Sequence, residues 1–488
     1  MSEKLRPNLK SVRKHKVPEW FHDAKLGIFI HWSLFSVPAF APSGKGENLE
    51  ILAKEGWTAY YGHNPYAEWY LNTMRIPGSP TQKYHIETYG KDFSYDEFVP
   101  MFNEASEKWN PEEWAELFKK VGARYVVLVT KHHDGFLLWP SKYPNPKKKN
   151  YFASRDIVGE LTKAVREKGM KMGLYYSSAL DSTFMEFDIK DVVDEFARAP
   201  NSQEYIEMNT AHWKELIDMY KPSILWNDIG YPRDANLAEM FAYYYNRIPE
   251  GVVNDRWMQV SKFLSKLANT KIGRKIVCWY VKRMFLTKGI VTPNPPHCDF
   301  TTPEYSSYTD IVDQKWEATR GLGTSFGYNK AEKLEEYLTV EELVRFFVDI
   351  VSKNGNLLLN LGPAADGTIP EVQKNCVLGL GKWLETNGHA IFGTRPWIRA
   401  ESVTTKGIEV RFTQKAETLF AILLDSPTQS SITIKSLELT KNAIINWQGY
   451  DESVDWIQKG EDLTINVPKA LERSPAYAIS ITPKPSSH

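Results

Sequence analysis

The chain has 488 residues, enough for a large core and for more than one domain. Lys+Arg and Asp+Glu both number 60, so no net charge draws it to nucleic acid or to an acidic surface. The 3 cysteines, Cys278, Cys298 and Cys376, have no CxxC spacing, which argues against a disulfide framework and a structural zinc site. The N-terminal segment has no apolar signal-peptide core, no window approaches a membrane span, and no Asn-x-Ser/Thr sequon occurs. A reducing, cytoplasmic setting is the expectation. The 16 Trp and 25 Tyr suit stacking on sugar faces as well as filling a large core.

Lys25 to Ser33 reads as a strand ending at His31 and Trp32. A long aromatic loop follows and carries Glu68 and Trp69; loops of this length inside a domain are usually functional or disordered. Asn110 suits a helix N-cap, Pro111 the first helical position and Glu113 a capping box. Trp114, Leu117, Phe118 and Val121 form one apolar stripe, and Gly122 ends it. The strand Tyr125 to Thr130 then runs into Lys131-His132-His133-Asp134-Gly135-Phe136.

The unit repeats. Ser154 can cap a helix with Ile157, Val158, Leu161 and Val165 on one side, before a strand that holds Tyr175. A helical stretch at 203–220 leads into Ser223-Ile224-Leu225-Trp226-Asn227-Asp228, an apolar run ending in a carboxylate. Residues 241–246 read as helix, and 251–257 as a strand with Arg256 at its polar end. Weaker strand candidates are 298–305, which holds Glu304, and 323–328. A helix capped by Thr339 with Glu342 three residues on precedes a last strand at 356–361. About eight strand candidates alternate with helices over roughly 350 residues, the pattern of a (β/α)8-like barrel. After Trp397 short alternating runs at hairpin spacing suggest an all-β sandwich. The expected division is a catalytic domain over 1–395 and a sandwich over 396–488.

Residues 258–296 stand apart, with eight Lys or Arg and no Asp or Glu. A basic amphipathic stretch of this kind can dock on anionic lipid or an acidic partner, but more often it lies solvated or packs against another subunit. The last use would make a homo-oligomer.

Asp228 at a strand end either caps the following turn or acts as a nucleophile. In a barrel the strand ends share one rim, which would gather His31, His132, His133, Tyr175, Trp226, Asp228, Arg256 and Glu304, with Glu68 and Trp69 from the first loop. Neutral-sugar recognition needs this mixture: imidazole, carboxylate and guanidinium groups bond hydroxyls, and aromatics cover the apolar face. His132-His133-Asp134 also admits a metal-site reading and a purely structural one; sugar binding ranks first and metal last.

The stretches Gly27-Ile28-Phe29-Ile30-His31-Trp32, Glu68-Trp69-Tyr70, Lys131-His132-His133-Asp134-Gly135-Phe136, Leu225-Trp226-Asn227-Asp228, Asn254-Asp255-Arg256-Trp257 and Gly355-Asn356-Leu357-Leu358-Leu359-Asn360-Leu361-Gly362-Pro363 resemble, in order, the α-L-fucosidases of glycoside hydrolase family 29. The resemblance implies a (β/α)8-like domain followed by a β-sandwich, and retaining hydrolysis of terminal α-L-fucosides without metal or cofactor. It implies Asp228 as nucleophile and Glu304 as general acid/base, with Glu317 and Glu68 in reserve. His31, Glu68, Trp69, His132, His133, Tyr175, Trp226, Arg256 and Phe326 match substrate-contacting positions, and a fucosylated oligosaccharide or glycoconjugate is the implied partner. The rivals are a fucose-binding protein that has lost catalysis, and a glycosidase for a galactose-like glycone. The chain departs from the family at Ser33, where glycine is usual, and in the 258–296 segment.

Overall fold

The structure, a computed structural model, describes residues 4–46, 48–288, 295–450 and 454–485. Residues 289–294 of the basic segment and the last three of the chain lie outside them. A parallel sheet is built from β1 (Leu26–Ile30), β2 (Tyr125–Lys131), β3 (Lys171–Ser177), β4 (Ile224–Asp228), β5 (Val252–Val253), β6 (Trp316–Gly321) and β7 (Gly355–Leu361). Its order is β5-β4-β3-β2-β1-β7-β6. The strands are buried on both faces, which is why they read as continuous apolar runs rather than alternating ones.

The sequence reading expects about eight strands, and the sheet has 7. The eighth place, between β5 and β6, is taken by residues 298–305. Asp299 N donates to Val253 O at 2.9 Å on one side, and Tyr305 N to Thr319 O at 3.0 Å on the other. This segment makes only isolated bridges to β6, because Pro303 has no N–H to give to a ladder. The candidate at 323–328 is irregular chain, and the true strand is Trp316–Gly321 just before it. Glu317 and Arg320 break the apolar run there and hide the strand from a hydrophobicity reading.

The principal helices are α1 (Asn48–Glu55), α2 (Pro111–Val121), α3 (Ile157–Glu167), α4 (Val192–Phe196), α5 (Gln203–Tyr220), α6 (Leu237–Arg247), α7 (Lys262–Ala268), α8 (Lys271–Lys288), α9 (Val340–Ser352) and α10 (Glu371–Asn387). Asn110 caps α2 through Glu112 N, and Gly122 closes it in the left-handed conformation at φ 91°. Asp156, not Ser154, caps α3, accepting from Gly159 N. Thr339 and Glu342 form a full capping box on α9.

The C-terminal region has two antiparallel sheets. β8 (Arg395–Val403), β9 (Glu409–Lys415), β10 (Thr418–Leu423), β12 (Ile444–Trp447) and β15 (Tyr477–Thr482) form one, in the order β12-β15-β10-β9-β8. β11 (Ser431–Ile434), β13 (Trp456–Lys459) and β14 (Asp462–Asn466) form the other. Strand alternation decides what each face of the larger sheet does. Leu419, Ala421 and Leu423 point into the core between the sheets. Phe420, Ile422 and Leu424 join the core of the parallel-sheet domain. Arg411 on β9 pins the junction, its Nε 2.7 Å from Asp349 Oδ1 on α9.

Gly27 on β1 is fixed by packing. A Cβ there would meet the Tyr125 ring at 2.2 Å. That ring is buried and its hydroxyl donates to Glu317, so it has no room to yield. Gly27→Ala is therefore expected to destabilise the protein by about 1–3 kcal/mol, the usual cost of overpacking, as read by denaturant unfolding.

Candidate active site

A cavity of about 430 Å³ opens at the C-terminal ends of the parallel strands. Asp228 ends β4 and lies in it. Tyr175 Oη donates to its Oδ2 at 2.8 Å, and Arg256 Nη1 to its Oδ1 at 2.9 Å. The chain then leaves the strand through Ile229 at φ 61° and Gly230 at φ 115°. A β-branched residue in the left-handed region costs on the order of 1–3 kcal/mol, and such strain concentrates at functional sites.

Arg256 follows β5 and carries the second acid as well. Its Nη2 donates to Glu304 Oε2 at 3.0 Å, while its Nε is held by Thr302 Oγ1 at 3.0 Å. Glu304 Oε1 accepts from Tyr66 Oη at 2.9 Å. Two carboxyl groups that lie 76 positions apart in sequence (228 and 304) thus share one guanidinium. Burial pushes the Glu304 carboxyl up; Arg256 opposes the shift and the charge of Asp228 adds to it.

The histidines are placed as neutral hydrogen-bonding groups. His31 Nδ1 donates to Asn360 Oδ1 at 2.6 Å, because the Asn360 amide nitrogen is committed to Phe326 O at 2.6 Å. His133 Nδ1 is 2.7 Å from Ser177 Oγ, whose own proton goes to Leu180 O. In both rings Nε2 is left as an acceptor. His132 stacks on Tyr175 with ring centroids 5.8 Å apart, and its Nδ1 has no partner among the described residues. Burial depresses His31 to about 3, and it holds His132 and His133 far below the ordinary imidazole range. β2 ends at Lys131, so His132 and His133 escape strand alternation and both line the cavity. Asp134 does not join them; it accepts from Tyr95 Oη and Phe136 N. Among the described residues no group of three His, Cys, Asp or Glu is spaced to hold a metal ion.

Trp226 lies beneath Arg256, with the guanidinium carbon 4.8 Å from its ring centroid. Trp69 meets His133 edge to face at 4.7 Å, and Phe326 tilts against His31 at 5.1 Å. Glu68 Oε2 accepts from Gly327 N at 2.8 Å, and burial pushes its carboxyl up to about 8. Glu317 lies outside the cavity lining, bonded by Tyr125 and by Trp226 Nε1. It supports the tryptophan from behind and does not face Asp228 across the cavity. Ser33 has φ −170°, extended backbone that any residue adopts, so the missing glycine changes nothing there.

Sequence reasoning did not single out Tyr66, Asn360 or Glu195 as site residues. Asn360 sits at a strand end within a motif already noted, and Tyr66 in a loop already noted. Glu195 on α4 stands beside Asp191 and Asp194, with nothing local to distinguish it. It lines the cavity, bonded to Tyr61 Oη. Burial, with Asp228 and Glu304 nearby, pushes it up to about 8.

Two carboxyl groups on one cation, over an aromatic floor ringed by neutral imidazoles, meet the demands of cleaving a glycosidic bond. Fold and cavity together define the class, a glycoside hydrolase on a curled parallel sheet. A family model described as Alpha-L-fucosidase matches residues 1–389, and one described as Alpha-L-fucosidase C-terminal domain matches 402–482. Tissue alpha-L-fucosidase of Mus musculus is 30% identical over 473 residues, covering 95% of this chain and 90% of the mouse protein. The structure of Thermotoga maritima alpha-fucosidase in complex with fucose is similar with a TM-score of 0.82 at 41% identity, over 98% of this chain and 100% of that one. Alpha-L-fucosidase isoenzyme 1 from Paenibacillus thiaminolyticus, at 23% identity and a TM-score of 0.68, shares the fold. The chain belongs to the alpha-L-fucosidase family.

Glu195 gives a test with a definite sign. Its folded value of about 8 lies above that of an unfolded glutamate, about 4.3, so folding holds a proton that the unfolded chain releases. Its contribution to stability is present below that unfolded value and falls as pH rises toward about 8. Glu195→Gln keeps an acceptor for Tyr61 and cannot ionise. The variant should match the parent near pH 4 and unfold at higher denaturant than the parent near pH 8. Equal midpoints at both pH values would reject the buried, protonated assignment.

Proposed function

We infer that the protein is a retaining exo-α-L-fucosidase in which Asp228 is the nucleophile and Glu304 the general acid/base. The observation that carries the reading is the convergence of these two acids on Arg256 within one cavity. Asp228 attacks the anomeric carbon while Glu304 gives its proton to the departing oxygen. A covalent fucosyl-enzyme forms, and water, deprotonated by Glu304, releases fucose with its configuration retained. The raised Glu304 carboxyl suits a group that must arrive protonated, and Arg256 is left to balance the ionised nucleophile.

Sugar recognition falls to the remaining groups. The Nε2 acceptors of His31 and His133 take hydroxyl protons, and Trp226, Trp69 and Phe326 cover apolar sugar surface. A binding protein that had lost catalysis would be expected to lack one of the two acids, and both converge here. A galactose-like glycone, which carries CH2OH where fucose has a methyl, is separated from fucose by parallel assay of aryl galactosides and an aryl fucoside. The natural substrate proposed is a fucosylated oligosaccharide or glycoconjugate. The proposed location is cytoplasmic, on the support of three free thiols.

Replacing Asp228 by Gly should lower kcat on an aryl fucoside by on the order of 10³-fold or more, with azide restoring part of it as a fucosyl azide. Near-normal turnover in that variant would sink the nucleophile assignment. Glu304→Ala should lose about 10²- to 10⁴-fold on a fucosyl disaccharide and far less on an aryl fucoside with a good leaving group. Equal losses on both substrates would move the proton donor elsewhere, with Glu195 the next acid to test.

A further inference from the structure

The basic segment folds as the hairpin α7–α8, and its two sides differ. Val277, Val281, Met284 and Phe285 turn inward and line the cavity. The outer side carries Ile272, Ile276, Trp279 and Leu286 at i, i+4, i+7 and i+14, a single helical stripe. Ile272 is 74% exposed, Trp279 62%, and Phe263 on α7 78%. Lys271, Lys275 and Lys282 recur at i, i+4 and i+11 and form a row beside the stripe. Arg274 is tied to Asp191 and Asp194, and Lys262 to Asp234. Among the described residues Lys266, Lys271, Lys275 and Arg283 have no carboxylate partner.

We propose that the outer side of the α7–α8 hairpin docks on an anionic lipid surface. A surface helix with an apolar stripe that includes tryptophan, flanked by lysines, lies in the headgroup plane. Anionic headgroups answer the lysine row, and Phe263, Ile272 and Trp279 enter the boundary with the acyl chains. A second copy of the same face is a poor match. Two-fold packing would set one lysine row against another, and residues 258–296 contain no acid to balance them. Ile276 and Tyr280 are both exposed and part of the cavity wall, so a docked hairpin holds the cavity mouth at headgroup level. Combined with the fucosidase reading, and resting on it, this makes fucosylated lipid headgroups the substrates within reach; docking itself is independent of that reading.

The test uses the full chain and vesicles. The protein should sediment with equimolar phosphatidylcholine and phosphatidylglycerol, release as salt is raised, and stay in solution with phosphatidylcholine alone. Phe263→Ser, Ile272→Ser and Trp279→Ser combined, and separately Lys271→Glu with Lys275→Glu, should each weaken partitioning about tenfold or more. None of these five residues lines the cavity, so hydrolysis of a soluble chromogenic fucoside should be unchanged and reports that each variant is folded. The salt release needs no variant and stands if one misfolds. No sedimentation with anionic vesicles, or equal sedimentation with neutral ones, overturns the proposal. So does light scattering that shows a dimer which the triple substitution converts to monomer, since a second copy then covers the face. Loss of fucoside hydrolysis in the parent protein would count against the enzyme reading and leave the docking result standing.

Discussion

The site depends on one shared cation. Arg256 donates from one nitrogen to Asp228 and from the next to Glu304, so a single planar fork sets how the two acids face each other. Two other buried carboxyl groups line this same cavity without such a partner. Glu68 and Glu195 are both pushed up to about 8, desolvation being the largest cause. The guanidinium is itself fixed from below. It lies over Trp226, whose Nε1 is bonded to Glu317, which is bonded to Tyr125, whose ring fills the space where Gly27 has no side chain. A glycine on β1 is therefore linked to the guanidinium that holds the acids through four successive contacts in the core.

The imidazoles complement this arrangement by staying neutral. A protonated ring beside Asp228 would compete with Arg256 for its charge. Burial prevents that for His31, His132 and His133, and the partners Asn360 and Ser177 fix which nitrogen carries the proton in two of them. The floor of the cavity thus offers acceptors of known direction and one strong cation, a division of labour suited to a neutral sugar that acquires positive charge at one carbon.

Much of this was legible in the chain. Strand ends carrying His31, Tyr175, Asp228 and Arg256 announced themselves as apolar runs broken by a polar residue, because parallel strands buried on both faces leave no other pattern. Two things were hidden. The strand Trp316–Gly321 carries buried Glu317, and its burial is made tolerable by hydrogen bonds from Tyr125 and Trp226 that no local window contains. The Glu304 segment is held by isolated bridges to β6 and by the Asp299 N to Val253 O bond to β5, so its place in the barrel comes from its neighbours rather than from its own periodicity. Glu195 lay out of reach for the same reason: only the packing of α4 against α8 brings that carboxyl over the site.

The two acids also share a backbone feature. Asp228 is followed by Ile229 at φ 61°, and Glu304 by Tyr305 at φ 48°, both non-glycine residues in the left-handed region. A regular strand would carry the chain onward and turn alternate side chains away from the cavity. A left-handed residue at each exit instead turns the main chain aside while the preceding carboxylate stays at the rim. The strain is tolerated because the flanking groups are fixed: Tyr305 Oη bonds Thr324 O at 2.9 Å, and Gly230 N bonds Arg256 O at 3.1 Å. The apolar inner side of α8 lines the same cavity as the pair. Removing water above them strengthens the hold of Arg256 on Asp228, and it raises the cost of a second charge on Glu304. The same hairpin that gives the molecule its basic outer surface thereby adds to the burial that pushes the Glu304 carboxyl up.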